Sequence, residues 1–124
     1  TVESEAPPVI KEKMVAANSS QTTRSRSRTG KHSRQLVSPW TDAWESEQAP
    51  DPLPMPLQPM VAEPALQKVA KLAEGGHDGA RDLATYWVGQ GVGLMNQSIS
   101  ASDVVQEFKE DFAEAYERLT GFVS

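Results

Sequence analysis

Tyr86-Trp87-Val88-Gly89-Gln90-Gly91-Val92-Gly93-Leu94-Met95 is the stretch on which the reading of this chain turns. Three glycines alternate with one amide and one branched side chain, so the backbone here can approach another element, or a flat ligand, closely. Gln90 carries donors and an acceptor on one side chain, as a residue facing a carbonyl-bearing partner would. Spacing alone favours a tightly packed turn before the final helix over a ligand wall.

Beyond this stretch the pattern is helical. Ser100 stands three residues before Asp103, a capping-box-like start. Val104, Val105, Phe108, Phe112, Ala115, Tyr116 and Leu119 then recur on one face. Glu107, Glu110, Asp111, Glu114 and Glu117 take the other face, Glu114 to Arg118 suits an ion pair, and Gly121 supplies the stop. One apolar stripe asks for one docking surface, which need not lie in this chain.

Toward the N-terminus, residues Gly79 to Trp87 predict a short helical turn or two, and Pro64 to Ala73 a helix ending at Gly75-Gly76. Ala49 to Pro64 holds six prolines, at 50, 52, 54, 56, 59 and 64. Such density predicts extended, polyproline-like backbone. Leu53, Met55, Leu57 and Met60 are interleaved with the prolines, as in a strap lying on an apolar surface. A helix carrying Leu36, Val37, Trp40 and Trp44 is expected before it, kinked or delayed by Pro39. Thr22 to Thr29 alternates hydroxyl residues with Arg24, Arg26 and Arg28, a strand-like spacing without an apolar face, and Gly30 turns the chain. Val9 to Ala17, led in by Pro7 and Pro8, reads as a short helix.

Composition sets bounds. The chain has 124 residues, 38% of them apolar and 6% aromatic, with a formal charge of −5. That is a thin supply for an independent core and argues for a partner or a missing remainder. There are no cysteines, which removes disulfides, cysteine nucleophiles and thiolate metal sites, and suits a cytoplasmic location. No apolar run is long enough for a membrane span. Thr1 to Glu5 lacks the basic and apolar regions of a signal peptide, and the missing initiator Met suggests a processed chain or a piece of a longer one. Asn18-Ser19-Ser20 and Asn96-Gln97-Ser98 fit the glycosylation pattern, which without a secretory signal reads as chance.

Few residues advertise chemistry. The run Thr23 to Arg34 is basic, and no acidic residue occurs from Lys13 to Thr41. Clustered guanidiniums can neutralise phosphates, but the run lacks aromatics for base stacking. A solvated basic face is therefore preferred to nucleic-acid binding. Gly30-Lys31-His32-Ser33 lacks the upstream glycine of a phosphate loop. His32 and His77 have no ligand-spaced neighbours, so no metal site is expected, and His77 reads as a loop residue. The acidic residues of the last helix read as a solvated stripe. Nothing assembles a nucleophile, a base and an oxyanion site, so no catalytic residue is assigned.

Trp87-Val88-Gly89-Gln90-Gly91-Val92-Gly93-Leu94, followed by a short polar stretch and an acidic amphipathic helix, resembles the C-terminal W-A-G-Q-G-V-G-L region of the nitronate monooxygenase family. Flavin-dependent enoyl-acyl-carrier-protein reductases are relatives of that family. Thr29-Gly30-Lys31-His32-Ser33-Arg34 is similar to its T-G-R-x-A-R turn. Trp44-Glu45 through Pro52-Leu53-Pro54-Met55-Pro56-Leu57-Gln58 resembles its E-W-E…P-L-P-Y-P-L-Q strap. Glu5-Ala6-Pro7 to Ala17 looks like the segment after its phosphate-binding turn. The order holds over nearly the whole chain. Met55 departs from the substrate-facing Tyr of several members, Val88 replaces an Ala, and Pro39 interrupts a helix that members usually continue.

The resemblance implies a mainly α chain, the helical C-terminal portion of a (β/α)8 TIM-barrel flavoenzyme whose barrel largely lies outside it. Residues 1–21 would be a barrel-end helix and connector, 22–64 a short strand, helix and strap, and 65–124 a helical cap. The complete protein would hold FMN and act on a small-molecule substrate with oxygen, in the cytoplasm, without membrane or nucleic-acid partners. Gly89 and Gln90 are the expected cofactor contacts, and Met55 and Trp87 the expected cavity residues. A fragment of a flavin-dependent enoyl or quinone reductase and a non-catalytic interaction module are the competing readings.

Overall fold

The computed structural model describes residues 1–123, which form two compact units, 6–96 and 1–5 with 97–123. The larger unit begins with α1 (Pro8–Ala16), opened by Pro8 in its first turn, where a missing N–H costs nothing. Strands β1 (Thr22–Ser25) and β2 (Ser33–Leu36) then pair antiparallel, with Thr22 opposite Leu36 and Ser25 opposite Ser33.

The other edge of β2 is met by residues far along the chain. Trp87 bridges Gln35, Leu36 N–H donates to the Tyr86 carbonyl at 3.0 Å, and Val88 N–H donates to the Arg34 carbonyl at 3.1 Å. Leu36 is thus in a strand, and Val37 lies beyond the strand and outside the expected helix. The helix itself, α2 (Pro39–Glu45), waits for Pro39, which fits its first turn. Pro39 therefore opens this helix and does not interrupt it.

The Pro-rich segment divides in two. Residues 51–54 belong to no helix or strand, whereas α3 (Leu57–Glu74) starts seven residues earlier than Pro64. Pro59 lies in its first turn, where no helical hydrogen bond is lost, so Pro64 alone is an interior interruption. The helix ends at Gly75, and Gly76 takes a positive φ of 87°. Next comes α4 (Asp78–Leu83), capped by His77, whose Nδ1 accepts from Ala80 N–H at 3.2 Å. His77 is thus a cap residue.

Val9, Ile10, Ala73, Ala80 and Ala84 form the core cluster, with Met14, Val69 and Tyr86 packed against it. Its alanines let α1, α3 and α4 approach closely. Lys13 ties α1 to the end of α4 by donating to the Asp82 and Ala84 carbonyls, each at 2.8 Å. The unit closes with a 3-10 turn over Gln90–Leu94.

The smaller unit is built on α5 (Ala101–Gly121), capped by Ser100, whose Oγ accepts from Asp103 N–H at 3.0 Å. Val2 N–H donates to the Ile99 carbonyl, and Glu3 accepts from Ala101 N–H. The expected Glu114–Arg118 pair is present at 3.8 Å, exposed on both sides. No residue of α5 is buried. Among the described residues no helix is long and apolar enough to cross a membrane.

Candidate functional site

The turn from Arg26 to Gly30 organises the surface that carries most of the expected site residues. Hydroxyls, not apolar side chains, form its inner face: Ser25 and Ser27 are fully buried. Ser27 Oγ donates to Gln35 Oε1 at 3.3 Å, and Gln35 Nε2 donates to Ser33 Oγ at 3.2 Å. Gln58, also buried, spans the gap to the strap. Its Nε2 donates to the Ser27 carbonyl at 2.7 Å while its Oε1 accepts from Leu53 N–H at 3.0 Å. Polar groups this deep are stabilising because they are paired.

Gly30 makes the closest approach. Its φ is +80°, and a Cβ there would lie 2.3 Å from the Leu53 carbonyl oxygen and 2.9 Å from Met55 N. Only glycine meets both demands. Met55 is thereby held over the turn by its backbone, with half its surface open to solvent.

Arg28 is not part of a solvated basic face. Its side chain is 6% exposed and makes a fork to Glu63, Nε to Oε1 at 2.7 Å and Nη2 to Oε2 at 2.9 Å. The guanidinium lies 3.7 Å from the Trp87 ring centroid and 5.2 Å from that of Tyr86. The planar cation is thus matched by a carboxylate at its edge and aromatic faces beside it. Nη1 is buried without a partner. Arg28 and Tyr86 also line a cavity of about 100 Å³, together with Ile10, Leu66 and Ala84. Arg24, by contrast, is exposed as expected.

Trp87 is 41% exposed beside Arg28, and Gly89 and Gln90 follow it at the surface. Gly89 caps the 3-10 turn and Gln90 begins it. The three glycines are not equivalent. A Cβ at Gly93 would lie 2.9 Å from Ser19 N, so the chain's own packing demands that glycine. A Cβ at Gly91 would meet nothing within 4 Å, and one at Gly89 only Gly91 N at 3.9 Å. Met55 and Trp87 are brought to one short turn, Met55 at Gly30 and Trp87 at Arg28, and Gly89 and Gln90 continue from Trp87.

Sequence reasoning passed over the Arg28–Glu63 pair and the Gln35 and Gln58 anchors. One signal was available for the pair. With no acidic residue from Lys13 to Thr41, any buried arginine of the run has to find its carboxylate outside that stretch. The surface can stack and orient a planar group and offer it an amide. Burial, opposed by Asp82 and reinforced by Arg81, pulls the Lys13 ammonium below its ordinary value of 10.5. That lysine is occupied with the end of α4. Among the described residues no group of three His, Asp or Glu could hold a metal ion.

A family profile described as nitronate monooxygenase matches residues 1–111. A protein of Mycobacterium tuberculosis (strain ATCC 25618 / H37Rv), described as a "putative monooxygenase", is 47% identical over 124 residues, which cover 99% of this chain and 33% of that protein. The chain therefore spans about a third of the length of the curated relative it matches. No solved structure matches it.

Proposed function

The chain belongs to the nitronate monooxygenase family, and from that premise we propose that it is the C-terminal part of an FMN-dependent oxidoreductase that oxidises alkyl nitronates with molecular oxygen. The rest of that enzyme is a (β/α)8 barrel carrying the flavin phosphate site and the proton-transfer groups. The relative's description as a monooxygenase supports the oxygenase reading over an enoyl or quinone reductase.

The open backbone at Gly89 and Gly91 carries the assignment. Neither position is filled by the chain's own atoms, so both leave space for a flat group to lie against the peptide plane. Gln90 between them is exposed and supplies an amide. These features fit one edge of a flavin ring. FMN, when bound, supplies the redox chemistry. Gly89 and Gln90 orient it, and Met55 and Trp87 bound the substrate side. Arg28 holds Trp87 in place from behind.

The test is made on the complete protein, purified and scanned for flavin absorbance. It is expected to be yellow and to consume oxygen with an alkyl nitronate. Gly91→Val, which this chain has room for, is expected to lower retained FMN while leaving the melting temperature unchanged. A colourless complete protein, or a Gly91→Val variant with full flavin content, would sink the proposal.

A further inference from the structure

Arg28 uses Nε and Nη2 on the Glu63 carboxylate, and the planar fork leaves Nη1 on the side away from it. Nη1 is buried and has no partner among the described residues, on a residue only 5% exposed. Two N–H donors left unpaired at that depth are costly, and a bound acceptor removes the cost. The cavity beside Arg28 supplies the room. Its other walls are Pro7 and Ile10 from the start of α1, Leu66, Gln67 and Ala70 of α3, and the Ala84–Tyr86 segment. Glu63 is not among them, so Nη1 is the guanidinium nitrogen left to serve the cavity.

We propose that this cavity binds a small neutral carbonyl compound, a ketone or aldehyde, with its oxygen on Arg28 Nη1. Volume sets the size. An apolar cavity of about 150 Å³ holds benzene, so the about 100 Å³ here has room for roughly four heavy atoms. Charge sets the class. Glu63 already neutralises the guanidinium, and no other cation is found among the described residues that line the cavity. A carboxylate or phosphate there would be a second anion, buried without a counter-charge. A neutral oxygen takes the two N–H groups without that burden.

The walls decide between one ligand and several waters. About three waters would fill the same volume, but each asks for two to four polar partners. Most of the lining is hydrocarbon, and its other hydrogen-bonding groups are engaged. Thr85 Oγ1 donates to the Leu36 carbonyl at 2.7 Å, and the Tyr86 carbonyl accepts from Leu36 N–H. One oxygen on a short alkyl body matches one donor among apolar walls. All of those walls lie in the larger unit, and exposed Gln67 marks the mouth. Met55, Trp87, Gly89 and Gln90 line none of it, so the site stands apart from the flavin reading.

Propanone is the probe, titrated into the complete protein with its Ile, Leu and Ala methyls isotopically labelled. Four heavy atoms limit the dissociation constant to about 40 µM at best, and a millimolar value is expected. The methyl signals of Ile10, Leu66 and Ala84 should shift, with Overhauser contacts from the propanone methyls to the same residues. These contacts locate the ligand without any variant. Acetate has the same size and shape but carries a charge, and is expected to bind at least about tenfold more weakly. Ala70→Leu fills the cavity and should abolish the shifts. The result should be the same in flavin-loaded and flavin-free protein, so it does not depend on the flavin assignment. Methyl signals unmoved at on the order of 100 mM propanone would overturn the proposal, whether waters or a barrel side chain fill the space. Acetate binding as tightly as propanone would also overturn it, as would shifts that survive in Ala70→Leu.

Discussion

Arg28 stacks on Trp87 at 3.7 Å while the same guanidinium grips Glu63 with two of its nitrogens. One side chain therefore joins the β1–β2 turn, helix α3 and the segment that leads to Gly89. Removing one partner of a buried ion pair leaves the other uncompensated, at a cost of about 3–5 kcal/mol. Glu63 is 28% exposed, so Arg28→Ala is expected near the lower end, about 3 kcal/mol. Arg28→Lys should recover less than half, because an ammonium neither forks nor stacks. Urea unfolding measures both, and wild-type stability for Arg28→Ala would show that the pair is idle.

Gly30→Ala tests the join between turn and strap. A methyl placed 2.3 Å from the Leu53 carbonyl, on a backbone at φ +80°, forces one of the two to move. We expect a loss of about 2 kcal/mol or more from strain and overpacking together. Limited proteolysis should show faster cleavage within residues 51–56, and an unchanged cleavage pattern would speak against it.

The three glycines after Trp87 should separate cleanly. Gly93→Ala crowds Ser19 N at 2.9 Å and is expected to cost about 1–2 kcal/mol. Gly91→Ala meets nothing and should leave unfolding within about 0.5 kcal/mol of the parent. Equal losses at both positions would mean that the open space at Gly91 is filled by this chain in solution.

Lys13 gives the stability of the chain a component at alkaline pH. Its folded pKa is lowered mainly by burial. Below that folded value the ammonium is charged in both states, and its desolvation opposes folding. As pH rises from the folded value toward 10.5, the unfolded chain binds the extra proton, so stability increases across that window. Wild type should therefore gain relative to Lys13→Met as pH approaches 10.5, read as the difference between two melting curves. A difference independent of pH would contradict the assignment.

How much of this could be read beforehand varied with the kind of force involved. Elements specified by local rules were legible: Ser100 and Asp103 announced the start of α5, Gly75-Gly76 the end of α3, and Pro8 the start of α1. Pro59 misled because proline density was taken as uniform, whereas in the first turn its missing N–H carries no penalty. Leu36 misled because a four-residue strand has almost no period of its own. Its partners, Thr22 and Tyr86, lie 14 and 50 residues away. Resemblance singled out Met55, Trp87, Gly89 and Gln90 as the expected site residues. It said nothing of Arg28, whose burial depends on a carboxylate 35 residues further on.

β2 is bonded on one side by a strand that precedes it and on the other by Tyr86 to Val88, which follow about fifty residues later. During synthesis β1 and β2 leave the ribosome together, and the second edge waits for that later segment. At about 5–20 residues per second the wait is roughly 3–10 seconds. For that interval Arg34 and Leu36 present unpaired backbone groups, the kind of edge that recruits a stray strand. Gln35 sits between them with its side chain already able to bond Ser25 and Ser27. Those bonds keep the nascent hairpin in register while its edge stands open.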